Sequence, residues 1–247
     1  MKGCLAVVGV LTLLLVVLIA GCTGFVMYKG HELGQEHELA LARLRQTNSA
    51  AFAAPEDGLL AEDRLATWFR VRGEAVAPLD RMFSKAQDLK RMEDGDVGFF
   101  EGVSAAFGAV KGIAKSVMEV PGALATGLEG AGMSFDEYAW INGVVHATVR
   151  RAARAGEEPA VAMADAIDKS FDSVEMRSEG KEFDPERLDR LEDRISEWKP
   201  ENLALISARA QDLTASPALL MLDVFALNME DQLAGGTSEP SATDEGG

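Results

Sequence analysis

At 247 residues the chain is long enough to bury a sizeable core, as one large domain or two small ones. Apolar residues make up 47% and charged residues 26%, which excludes wholesale disorder. The net charge is −16, with +2 in residues 1–30 and −18 in residues 31–247. That charge sets the body against nucleic-acid phosphates and anionic lipid surfaces, so no nucleic-acid partner is expected, and the acidic surface reads as a means of keeping a helical body soluble.

The first predicted element is a membrane helix. Cys4 to Tyr28 carries no formal charge; as a helix it would be about 37 Å long, against a hydrocarbon core of about 30 Å. Ile19, Ala20, Gly21 and Cys22 resemble the bacterial lipobox, in which the cysteine takes the lipid after a signal ending at residue 21 is cut. The apolar run does not stop there. It continues through Phe25, Val26, Met27 and Tyr28 into HELGQEHELALARLRQ, where a polar, flexible tether would be expected after a lipidated cysteine. Tyr28 and Lys29 sit where an interfacial anchor belongs. The length of the run therefore favours an uncut anchor over residues 1–30, with lipidation at Cys22 as the alternative. Both layouts place the body outside the cytoplasm. Cys4 and Cys22 are the two cysteines of the chain, so the body has neither disulfides nor thiolate metal ligands.

Residues 31–54 read as a helical stalk and its end. Its histidines tempt a metal reading, but His31 and His37 are six apart and point about 120° away from each other around a helix. Neither spacing of the zinc-protease helices is met, and Gly34 occupies the position where a di-iron helix would need glutamate. No metal or other cofactor is expected. Pro55 and Asp57-Gly58 supply turn chemistry for a break. From residue 55 to 234 the chain reads as a multi-helix bundle, because runs with period-2 alternation are missing. Leu65, Trp68, Phe69, Val76, Leu79, Phe83 and Met92 keep to one helical face, with Pro78 predicting a kink over residues 73–77.

Residues 97–119 separate into three helical faces. Phe99, Val103, Ala106, Val110, Ile113 and Val117 are bulky and apolar, whereas Glu101, Lys111, Lys115 and Glu119 are charged. Between these faces Gly98, Gly102, Ala105, Ala109, Gly112 and Ser116 form a stripe of small residues, suited to close packing within the fold or to an interaction with a partner. The charges argue against a second membrane span. PGALATGLEGAG (121–132) reads as a glycine-rich connector and hinge. Ser134 and Glu137 form a capping box for a helix running to about Ala155, whose acidic start and Arg150, Arg151 and Arg154 suit the helix dipole. His146, among Val144, Val145 and Ala147, reads as a packed or surface histidine.

A helix follows Pro159, then a polar loop over 173–183. Leu188, Leu191, Ile195 and Trp198 form a narrow stripe on the next helix, and short helices over about 201–214 and 217–232 complete the bundle. Residues 235–247 read as a disordered acidic tail. KGIAKS lacks the glycine of a phosphate loop, and GVSAA lacks the second glycine of a nucleophile elbow, so no catalytic residue is assigned.

The membrane run, PEDGLLAEDRLATWFRVR and SFDEYAWI together resemble single-anchor helical membrane proteins of bacteria, a resemblance that brings no activity with it. The expectation is thus an all-α protein with an N-terminal transmembrane helix, single-pass and extracytoplasmic, non-catalytic and acting by protein–protein interaction. The alternative is a lipoprotein whose helical body binds an apolar ligand.

Overall fold

The computed structural model describes residues 34–49, 51–93, 99–172, 195 and 197–235. By its contacts the chain divides into two units, Met1–Leu39 and Ala40–Gly247. In the first, residues 34–39 are helical. The second is built from helices joined by turns, with no strand among the described residues. It opens with α1 (40–47) and continues through α2 (Glu62–Ala75), α3 (Ala77–Glu93), α4 (Phe99–Ala131), α5 (Phe135–Arg154), α6 (Glu158–Asp172), α7 (Pro200–Ser207), α8 (Ala210–Leu213) and α9 (Pro217–Gly235). No helix among the described residues is long and apolar enough to cross a membrane. The uncharged run 4–28, Cys22, the loop 173–183 and the tail from 236 onward lie outside the described residues.

α9 explains the architecture. PALLMLDVFALNMEDQLAG is apolar nearly all round at its start, the mark of a helix enclosed by others rather than laid on a surface. Ala218, Leu220, Met221, Leu222, Val224, Ala226, Leu227 and Met229 are all buried, and α9 packs against α2, α3, α5 and α6. α4 covers α2 and α3, and α5 lies against α6 and α7. Leu41 and Leu44 belong to the same core, so residues 40–47, expected as stalk, pack on the bundle.

The predicted kink over 73–77 falls at the joint between α2 and α3, where Val76 stays in the right-handed helical region. The break at 55–58 is a turn closed by Gly58 N–H donating to the Pro55 carbonyl, with Gly58 at φ +66°. Asn202 clamps this turn to α7: its side chain accepts from Leu60 N–H at 2.9 Å and donates to the Gly58 carbonyl at 3.0 Å.

The expected connector at 121–132 is helix instead. α4 runs unbroken to Ala131 with Pro121 inside it. Val120, Leu124, Ala125 and Leu128 form a fully buried stripe there, and that burial outweighs the low helix propensity of the glycines. Only Gly132 stops the helix: at φ +59° it lets Met133 N–H reach the Leu128 carbonyl.

The capping box at α5 is present on its serine side, Ser134 Oγ accepting from Glu137 N–H at 3.1 Å. Two further orphan donors of this helix are met from far away in sequence. Thr47 Oγ1 accepts from Phe135 N–H at 3.1 Å, and Asn48 Oδ1 from Asp136 N–H at 3.0 Å.

Candidate functional site: a sealed polar centre and the groove above it

The inward stripe of α2 reads Leu65, Trp68, Arg72, Ala75, so helical spacing carries one cation into the apolar core. On α5 the residues Tyr138, Asn142 and His146 follow each other at intervals of four and share a face. α9 brings Asp223, a lone acid in an apolar run. These side chains meet where the three helices pack. The Arg72 guanidinium grips the Asp223 carboxylate with both prongs, Nε to Oδ1 and Nη2 to Oδ2, each at 2.8 Å. Its remaining donors reach the carbonyls of Asp212 and Leu213 at 2.9 Å, satisfying the last turn of α8. Its carbon lies 5.2 Å from the centre of the Trp68 ring.

His146 Nε2 stands 3.0 Å from Asp223 Oδ2. A carboxylate only accepts, so Nε2 is the donor in this contact, and Nδ1 has no hydrogen-bond partner among the described residues. Asn142 Nδ2 donates to the Asp223 backbone carbonyl at 3.0 Å. The Tyr138 hydroxyl is pushed well above its ordinary range by burial, helped by the Asp223 charge and opposed by Arg72. Arg72 is 1% exposed, and Asp223, His146 and Asn142 are 0% exposed. A charge pair so placed must be well hydrogen-bonded to offset its desolvation, and this one is. Chemically the centre resembles a positioned acid–base set, but its side chains are at most 1% exposed, with only the edge of Arg72 reaching the groove above.

Comparison of the chain with models of known families, with characterised proteins and with solved structures finds no match. Function must therefore be read from the molecule itself.

Above the centre lies a groove of about 240 Å³, lined in part by Phe69, Arg70, Arg72, Arg209, Asp212 and Leu219. A second groove, of about 360 Å³, lies between residues 46–52, the end of α4 and the start of α5. Its carboxylates are occupied: Glu129 pairs with Arg43 at 2.7 Å, and Glu137 receives both prongs of Arg64 at 2.6 and 2.5 Å. Among the described residues no group of three or more histidines, cysteines or acids is placed to hold a metal ion.

Of the small-residue stripe, Gly98 lies outside the described residues, as do the side-chain surroundings of Gly102, Ala105 and Ala109 on α4. At the described end, a methyl group on Gly112 would meet the Lys85 side chain of α3 at 3.7 Å, and Ser116 is buried. Ile195 and Trp198 are partly buried against the core, while Leu188 and Leu191 lie outside the described residues. His146 is packed inside. Neither Arg72 nor Asp223 belongs to a motif, so motif spacing does not point to them. The signal was one of context: an arginine at a core position of α2 and an acid alone in LLMLDVFAL.

Proposed function

We propose that the chain is a membrane-tethered, non-catalytic helical module that acts by binding a protein partner on the extracytoplasmic side. The observation that carries this reading is the sealing of the polar centre. The densest set of chemistry-bearing side chains among the described residues, Arg72, Asp223 and His146, is 0–1% exposed, which favours a role in packing over one toward a substrate. The uncharged run from Cys4 to Tyr28 supports the tether. The alternative, a lipoprotein enclosing an apolar ligand, draws less support, since the grooves of about 240, 330 and 360 Å³ among the described residues are open on the surface and none encloses a ligand.

Photo-crosslinking in cells tests the reading. A photoreactive amino acid is placed in turn at exposed positions on α2, α4 and α6 of the full chain, and intact cells are then shaved with protease. Discrete higher-mass adducts confined to one face, on a body that external protease removes, are expected. Adducts from no position, or a body protected until the membrane is breached, would overturn it.

A further inference from the structure

We propose that the groove over α2 and α8 is a binding site for a carboxylate carried on a small apolar group, the chemistry of an apolar residue at a protein C-terminus. This stands apart from the adaptor reading, since the site would hold the same ligand whether free or presented by a protein.

The groove is built from two cations and an apolar floor. Phe69, Arg70 and Gly73 come from α2 at helical spacing, so they share one face, and Leu219 comes from the first turn of α9. Arg209 crosses over Phe69, its guanidinium carbon 4.7 Å from the ring centre. Its Nε donates to Asp212 Oδ2 at 2.5 Å. Those two contacts fix the plane of the guanidinium and leave Nη1 and Nη2 without a hydrogen bond among the described residues. Arg70 is exposed and likewise has no ion pair among the described residues.

The other two charges are spoken for. Arg72 is neutralised by Asp223, and Asp212 by Arg209. What remains is one unpaired arginine, Arg70, lining the same groove as an arginine oriented in advance with donors to spare. In a chain of net charge −16 two arginines lining one groove run against the overall balance. At physiological salt its field is felt over about 8 Å, which suits a ligand in contact and not long-range steering. A planar guanidinium matches a carboxylate better than it matches a halide. A volume of about 240 Å³ admits one side-chain-sized apolar group against Phe69 and Leu219, and is too small for a lipid chain.

The test is a titration of the full chain in mild detergent, followed by NMR of ¹⁵N-labelled arginine. The probes are N-acetyl-leucine, its carboxamide, and a glycine–serine peptide ending in leucine with a free or an amidated C-terminus. Saturable shifts of the Arg70 and Arg209 signals with the carboxylates, and none with the amides, are expected. Arg70→Gln and Arg209→Gln should each weaken binding about tenfold or more, the scale of a lost charged hydrogen bond. Asp212→Asn, which frees Arg209 from its internal partner, should tighten it. Arg43→Gln, on a distant pair, should leave affinity unchanged. Tighter binding of the peptide than of the amino acid would assign the carboxylate to a protein terminus, and equal binding would assign it to a free acid. Equal response to carboxylate and amide, no saturable shift at millimolar ligand, an unaltered affinity in Asp212→Asn, or an equal loss in Arg43→Gln would each overturn the site.

Discussion

Arg72 and Asp223 show what a single residue can hold together here. Their pairing joins α2 to α9, and the spare donors of Arg72 extend it to the end of α8, so one guanidinium ties three helices. Removing either partner leaves the other charge buried without compensation. Arg72→Met and Asp223→Asn are each expected to cost about 3–5 kcal/mol. Changing both at once, to Met and Leu, should recover part of that loss, because a buried ion pair often gives way to apolar packing at little net cost. Urea denaturation of the singles and the double measures all three. Singles that cost less than about 1 kcal/mol would mean that water reaches the pair and that the centre is not sealed. None of this was legible as a motif. The two residues are 151 positions apart, and a sequence pattern marks each as out of place without saying that they meet.

At the level of elements, local signals served where the chain's own chemistry decides and failed where tertiary packing does. The cap at Ser134, the turn at Asp57-Gly58 and the joint before Pro78 were legible because each rests on residues adjacent in sequence. The glycines of α4 were read as a connector, yet their surroundings differ one from another. Gly127 is buried, and a methyl group there would come within 3.2 Å of Val71 Cγ1 on α2. Gly130 has nothing within 4 Å. Gly127→Leu should therefore force α2 and α4 apart and cost about 1–3 kcal/mol. Gly130→Ala should stabilise by up to about 1 kcal/mol, the helix-propensity difference. Thermal or urea melts separate the two, and a stabilising Gly127→Leu would show that α4 does not lie close on α2. Between α1 and α4 the exposed Arg43–Glu129 pair makes a pH-dependent contact. Hydrogen bonds from Arg43 hold the Glu129 carboxyl below its ordinary range. The pair's contribution is thus full above the unfolded carboxylate's pKa and is lost as the pH falls through the lower, folded one. Glu129→Gln should lower the urea midpoint slightly at neutral pH, and the gap from the unaltered protein should close on acidification through that range. A gap of constant size across the titration would assign the effect to packing instead of charge.

For the whole molecule, sequence and structure speak to different halves of the question. The all-α class was legible from period and turn chemistry, because helices that bury one face repeat that face in sequence. The groove that joins Arg70 to Arg209 was not, since it exists only once α2, α8 and α9 are packed. The proposed attachment of the body to a membrane rests on sequence alone, and physical length sets the expectation. Twenty-five uncharged residues from Cys4 to Tyr28 exceed the roughly 20 needed to span a bilayer. A signal cut before Cys22 would leave Phe25 to Tyr28 as an apolar stub between lipid and body, with no polar tether. The protein recovered from membranes is therefore expected to keep residues 1–21. Intact-mass spectrometry reads this directly, as does metabolic labelling with a clickable fatty acid. An N-terminal, diacylglyceryl-modified Cys22, with label and processing both abolished by Cys22→Ala, would replace the spanning helix with a lipid anchor. Either mode of attachment is compatible with the proposed extracytoplasmic topology, so the proposed crosslinks to a partner and carboxylate binding in the groove would survive that outcome, and the mode of attachment can fail independently of both.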